Sequence, residues 1–396
     1  MVPKGWEKNS LDSLFEFKNG LNTEKEQYGN GYKFVNVMDV FRNDILTESK
    51  IIGRVQVTDK QLEGYQLKYG DVLFNRTSET FDEIAIAAIY LDNAIATFGG
   101  FVIRARPKGN QIDPAYSVFL FQSKSYRSQV VKLGQGAIRA NIGQKDLARV
   151  CILVPPLAEQ KKIAQILSTW DKAISVTEKL LANSQQQKKA LMQQLLTGKK
   201  RLLDENGERF SGEWKQDVNL GSIINISKGV QINKNTLSED GQFPVINGGI
   251  APSGFTSEFN TDENTITISE GGNSCGYVAF QKKSFWCGGH CYAVRKTALD
   301  LSFTFHLLKY NELKIMGLRV GSGLPNIQKK AIEAFTVNFP VTSVEQQKIA
   351  AVLSAADAEI STLEKKLVCL RDEKKALMQQ LLTGKRRVKV DEAVAE

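Results

Sequence analysis

The twelve residues KKALMQQLLTGK occur twice, at Lys188–Lys199 and Lys374–Lys385, 186 residues apart. Around them, Glu159–Lys199 and Glu345–Lys385 are identical at 25 of 41 positions without a gap. A gapless match of that length marks a duplicated unit, and its period is far too long for a solenoid. Whatever this chain folds into must accommodate one segment twice.

Each copy is expected to be a helix. EQKKIAQILSTWDKAI and EQQKIAAVLSAADAEI both place apolar residues at three- and four-residue spacing. In the first copy a heptad seam runs through Ile163, Leu167, Trp170, Ile174, Thr177, Leu181, Ser184, Lys188, Leu191 and Leu195. In the second it runs through Ile349, Leu353, Ala356, Ile360, Leu363, Leu367, Leu370, Lys374, Leu377 and Leu381. A seam sustained this long is a coiled-coil signal. Gly198 and Gly384 then stop each helix, with basic residues after them as the helix dipole favours. Pro155, Pro156 and Pro340 separate helix from preceding domain. Lys188 and Lys374 are polar positions on the seam. Their stems are expected to pack while the ammonium groups reach solvent; the sharper alternatives are that they set register or meet a partner subunit.

The segments before the helices have another character. Short β-like runs bounded by Gly, Asn and Asp recur: YKFVNVMDV, DVLFN and FVIRAR, then FPVIN, NTITIS and GYVAF. Both segments open alike, with Trp6 and Trp214 preceding SLFEFKNG and SIINISKG. Both close alike, through GQGAIRANI and GSGLPNI. The expected division is a first domain at 1–156, a helix at 157–201, a second domain at 202–340, a helix at 341–387 and a disordered tail at 388–396. The fold class is α+β, with two mixed α/β domains separated by two long helices.

Helices of equal length and heptad phase, joined through a globular domain, can pack as an antiparallel coiled coil. The two domains would then be related by a pseudo-two-fold axis. A helix of about 40 residues is about 60 Å long, roughly one and a half turns of B-DNA. That suits two domains reading two half-sites on one duplex, with the helices offering equivalent docking places to two copies of a partner.

The net charge of +9 favours a polyanionic partner. Five scattered cysteines argue against a disulfide framework. The longest apolar run, Ile84–Leu91, is too short to span a bilayer, and a cytoplasmic protein is expected.

Searches for catalysis return little. VPPL (Val154–Leu157) lacks the polar and aromatic residues of a methyltransferase motif, and no glycine-rich loop for S-adenosylmethionine follows a leading strand. TGKK and TGKR lack the upstream glycine of a P-loop. Glu159-Gln160-Lys161 has a nuclease-like spacing but stands on a helix surface. Cys275, Cys287, His290 and Cys291 lack the paired spacing of a zinc site, and read as small buried residues in strands beside a turn. His306, in FTFHLLKY, reads as a packing residue. No metal and no catalytic residue are assigned.

PPLAEQKKIAQILSTWDKAI…KKALMQQLLTGKKRL and its second copy resemble the two conserved regions of type I restriction–modification specificity subunits. GDVLFNRTS (Gly70–Ser78) resembles a recurrent element of that family's target recognition domains, as does a GxG loop followed by Asn-Ile, a strand and proline. The resemblance covers nearly the whole chain. It implies two target recognition domains alternating with two conserved helices, and a bipartite asymmetric DNA target whose unspecified spacer is set by helix length. The implied partners are double-stranded DNA, two methyltransferase subunits and, through these, two restriction subunits. S-adenosylmethionine, ATP and magnesium are expected on those partners, with no cofactor and no catalysis on this chain. The helix copies diverge at ANSQQQ (Ala182–Gln187) against VCLRDE (Val368–Glu373), so perfect symmetry is not expected.

Guanine edges take Arg or Lys, adenine edges Asn or Gln, and phosphates almost any donor. Three loops supply such groups. One carries Lys18 and Asn19, with Lys228 as counterpart. A second carries Asn75, Arg76, Thr77 and Ser78, with Ser269-Glu270-Gly271-Gly272-Asn273 as the approximate second copy. The third is the GxG loop, with Gln135, Arg139 and Asn141, then Ser322, Asn326, Gln328 and Lys329. Two competing readings stand beside DNA specificity: a self-sufficient modification enzyme or nuclease, and a coiled-coil scaffold that does not bind DNA.

Overall fold

The computed structural model describes residues 2–136, 138–321 and 323–390. Both repeated segments are helices of 39 residues, Leu157–Leu195 and Ser343–Leu381. No glycine or proline interrupts either one. Gly198 and Gly384 follow in the left-handed region, at φ +71° and +66°. Their turns let Lys200 N reach Gln194 O at 3.0 Å and Arg386 N reach Gln380 O at 3.1 Å, satisfying carbonyls the helix end leaves open. Among the described residues no helix is long and apolar enough to cross a membrane.

Chain contacts define two compact units. One holds the residues up to Thr177 and those from Lys366 onward; the other is Glu178–Lys365. The boundary falls inside both long helices, so each unit combines one globular domain with half of each helix rather than following linear domain limits.

The first unit is built on a five-stranded sheet. Its strands lie in the order Phe15–Asn19, Val102–Pro107, Val72–Asn75, Ala87–Tyr90, Ile45–Leu46, antiparallel except for the last pair. Glu7–Ser10 pairs with Cys151–Val154. The core gathers Phe15, Phe74, Phe121 and Tyr126 with Ile163 and Leu167 of the first long helix and Leu381 of the second. A smaller cluster around Phe98 and Tyr90 fills the other face of the sheet. Val388, expected in a disordered tail, instead packs half-buried on the main core; the tail from 391 lies outside the described residues.

The second unit repeats the scheme with other contents. Ile224–Lys228, Cys291–Thr297, Thr265–Ser269 and Val278–Gln281 form an antiparallel sheet in that order, and Trp214–Asn219 pairs with Thr336–Pro340. Leu195, Ile349 and Leu353 of the long helices enter its core. Cys287 and Cys291 are buried with Phe285 and Ala293, and Cys275 joins the main cluster.

Within each unit the helix halves run antiparallel. In the first, Trp170 Nε1 donates to Glu373 Oε2 at 3.2 Å and Lys374 Nζ meets Asp171 Oδ1 at 2.5 Å. In the second, Ser184 Oγ donates to Glu359 Oε1 at 3.1 Å and Lys188 meets Asp357. All twenty seam positions are buried or half-buried. The seam lysines do not reach out to solvent: each is 16% exposed and paired with an aspartate of the opposing helix. A one-heptad slip would lose both pairs. Apolar layers at the helix ends supply the burial, each fully buried Leu or Ile contributing roughly 1.5–3 kcal/mol.

The first turn of each helix grips its domain with the same side chains. Gln160 accepts from Asp113 N at 2.8 Å and donates to Pro155 O at 2.8 Å. Gln346 accepts from Asp300 N at 2.9 Å and donates to Pro340 O at 2.9 Å. Asp113 and Asp300 cap the helices Pro114–Leu120 and Leu301–Tyr310. His306 of the latter is 1% exposed, with Nε2 against Ser354 Oγ at 3.0 Å and Nδ1 3.9 Å from Asp357 Oδ2. Burial, joined by the nearby Lys188, lowers its pKa to about 4.

Candidate nucleic-acid interface

In each unit the sheet brings three loops to one edge. Strand pairing sets Asn19 opposite Ile103 and Asn75 opposite Val102. Beyond the sheet, Thr77–Ser78 pairs with Ala140–Asn141, and Ile142 N donates to Arg76 O at 3.0 Å. The GxG loop between them is closed by a reciprocal pair: Gln135 N to Asn141 O at 2.8 Å, Asn141 N to Gln135 O at 2.7 Å. The opening loop, the Asn75–Ser78 turn and the GxG loop thus share one rim.

The second unit rebuilds this rim on equivalent backbone. Lys228 pairs with Tyr292 and Ser269 with Cys291. Val320 N to Asn326 O at 2.8 Å and Asn326 N to Val320 O at 3.0 Å close the loop, and Ile327 N donates to Glu270 O at 2.8 Å. By this register Glu270 stands where Arg76 stands, and Asn326 where Asn141 stands. The side chains carry opposite charge on matching scaffolds. Glu270 takes the Lys228 ammonium at 2.5 Å and lies 3.4 Å from His290 Nδ1. Tyr292 Oη donates to Ile327 O at 3.1 Å; burial, with Glu270 beside it, pushes its pKa up to about 12, so it remains a neutral strut.

Two glycines make the close approach possible. A Cβ at Gly20 would collide with Gly99 O, and one at Gly229 with Cys287 O, because each opening loop crosses directly over a neighbouring backbone.

The candidate contact residues separate into two groups. Asn19, Arg76, Gln135, Arg139, Asn141, Lys228, Asn273, Asn326, Gln328 and Lys329 are exposed, and Thr77 is half-buried. Asn75 and Ser78 are corrections to the expected set. Asn75 has no exposed surface; its amide donates to Thr77 O and Glu83 O at 3.2 and 2.9 Å and accepts from Ile86 N at 2.6 Å. Ser78 is buried and accepts from Thr80 N at 3.3 Å while bonding Glu83. Both spend their polar atoms on their own turn. Lys18 is likewise committed, donating to Gly64 O at 2.7 Å with its ammonium 4.4 Å from the Tyr65 ring. Ser322 lies outside the described residues.

Sequence reasoning placed Glu270 in the approximate counterpart of the Asn75–Ser78 turn without counting it among the contact residues, and passed over two exposed apolar residues of the GxG loops, Ile138 and Leu324. Their signal was present in G-x-G-A-I and G-S-G-L, where glycines leave a large side chain uncovered.

A family model described as "Type I restriction modification DNA specificity domain" matches residues 3–183 and 212–368. A Methanocaldococcus jannaschii protein named as the MjaX specificity subunit of a type I restriction enzyme is 28% identical, over 98% of this chain and 95% of its own length. A Mycoplasma pneumoniae protein named as a type I specificity subunit is 36% identical over 39% of this chain and 42% of its own. In fold, the chain is similar to the crystal structure of a type I restriction–modification S subunit from M. genitalium. The TM-score is 0.66 at 20% identity, covering 96% of each chain.

Proposed function

The chain belongs to the type I restriction modification DNA specificity family, and from that premise we propose that each unit reads one half of a bipartite, asymmetric DNA site. One observation carries the reading: a matched rim recurs in both units, yet its key position is Arg76 in one and Glu270 in the other. Equal scaffolds with unequal side chains are what two different half-sites require. Exposed Arg76, Arg139 and Asn141 on one rim, and Lys228, Asn326 and Gln328 on the other, are the readers. In the second unit Glu270, 14% exposed, holds Lys228 and His290 at the rim, where the first unit presents Arg76 itself.

The long helices set the unspecified spacer and dock two methyltransferase subunits, which in turn hold two restriction subunits. Methyl transfer from S-adenosylmethionine and ATP- and magnesium-dependent cleavage belong to those partners, and this chain acts as the non-catalytic reader of a cytoplasmic complex.

The test is co-expression with a type I methyltransferase subunit of the same genome, followed by sequencing of host DNA for modified bases. Two short methylated half-sites separated by unspecified bases are expected. A stable complex that leaves DNA unmodified would overturn DNA reading; failure to form any complex would favour the scaffold alternative.

A further inference from the structure

The two most exposed large apolar side chains among the described residues are Ile138, at 91%, and Leu324, at 86%. Both stand on the GxG loop, one in each unit. By the register of the closing pairs, Leu324 occupies the position of Arg139, and Ile138 precedes it by one residue. The units share little sequence here beyond glycine and Asn-Ile, so the recurrence is not a trivial consequence of the repeat. Displaying an isoleucine or leucine to water forgoes the burial that such side chains ordinarily gain.

These loops are pinned at their bases. Each is closed by a reciprocal backbone pair, and the amide that follows is bonded to the rim strand. Gly136 and Gly321 take φ of +123° and +96°, and a Cβ at Gly136 would collide with Arg139 O. The exposed apolar side chain therefore stands between two backbone anchors. Cations lie close by in the chain. Exposed Arg139 and Lys145 follow Ile138 in sequence, and exposed Lys329, 3.5 Å from Glu333, and Lys330 follow Leu324. An apolar point among cations suits a duplex, whose phosphates meet the charges while the apolar group enters between stacked bases.

We propose that Ile138 and Leu324 are wedges, each entering the groove between two base pairs of the half-site its unit reads and partly unstacking that step. The proposal rests on the DNA-reading function above and adds to it a local deformation of the target.

The experiment uses the full chain in complex with its methyltransferase subunits. The probe is a fluorescent duplex bearing the methylated motif, with a scrambled duplex as control and 2-aminopurine substituted step by step through each half-site. Ile138→Ala should weaken motif binding about tenfold, abolish a 2-aminopurine signal at one step of one half-site, and leave the salt slope unchanged, since no phosphate contact is lost. Ile138→Leu should retain both. Leu324→Ala should do the same at the other half-site. Unchanged motif affinity and signal in Ile138→Ala, while wild type still discriminates the motif, overturns the wedge and leaves DNA reading intact. Loss of the methyltransferase from the variant complex overturns it in favour of a protein contact. If wild type binds motif and scrambled duplex equally, DNA reading fails and the wedge fails with it.

Discussion

Glu345 carries the Arg201 guanidinium on both carboxylate oxygens, at 2.5 and 2.6 Å, and 186 positions on either side of that pair Glu159 carries Arg387. Each arginine also reaches the entrance of its unit's globular domain: Arg201 donates to Gly212 O at 2.9 Å and Arg387 to Lys4 O at 2.7 Å. One helix end, the other helix's first turn and the domain's leading residues are therefore tied at one point in each unit. Bidentate pairing of this kind is among the stronger charged contacts because geometry and charge agree.

Removing the carboxylate should be costly in proportion to burial. Glu345 is 1% exposed and Arg201 19%, against 10% and 41% for Glu159 and Arg387. Glu345→Gln should cost about 3 kcal/mol, since an unpaired buried charge is left behind, and Glu159→Gln nearer 1 kcal/mol, its pair being more screened. Denaturant unfolding of the single variants checks the order; equal losses would contradict it.

Register should depend on the two seam pairs. Lys374→Ala is expected to destabilise by about 1 kcal/mol, because Asp171 is 44% exposed and keeps most of its solvation. Exchanging the charges, Lys374→Asp with Asp171→Lys, should recover part of that loss. A double-mutant cycle measures the coupling, and an additive result would show that the lysines act only through their stems.

Arg76 should contribute to DNA affinity and Asn75 to folding. Arg76→Ala is expected to weaken DNA binding about tenfold and to lower the salt slope by about one if it holds a phosphate, or to leave the slope and relax one base if it reads an edge. Asn75→Ala should instead lower the melting temperature, since it strands the Ile86 amide and two carbonyls. Melting curves run beside binding isotherms separate the two.

His306 should make the second unit acid-sensitive. Its folded pKa of about 4 lies below the ordinary histidine value of 6.5. The unfolded chain therefore binds the extra proton first as pH falls, and stability is present above about 6.5 and lost progressively toward 4. The full effect is at most about 3 kcal/mol. The groups facing the ring are Asp357, Lys188 and Asp300. The corresponding position in the first unit is Phe119, whose ring lies 5.4 Å from the Lys374 ammonium. His306→Phe should flatten the dependence between pH 4 and 6.5 in thermal melts; an unchanged slope would place the acid sensitivity elsewhere.

The repeat and its heptad phase were enough to determine two long helices, their stop at Gly198 and Gly384, and a chain of domain and helix used twice. Those properties are local: helix period, capping glycines and the absence of breakers act over a few residues and can be read in order. The same is true of the loops that carry the exposed polar groups. What lay beyond the sequence was which partner each group takes. Lys188 and Lys374 read as solvent-facing until the opposing aspartates, more than 150 residues away, came alongside. Asn75 and Arg76 are neighbours with the same apparent promise, yet Asn75 ends its strand with its amide bonded into its own turn, and Arg76 lies exposed at the bend beyond it. The approximate alignment of Glu270 with Arg76 became an equivalence of backbone position through the hydrogen bond from Ile327. Burial and pairing are properties of the packed chain, and tertiary structure alone decided them.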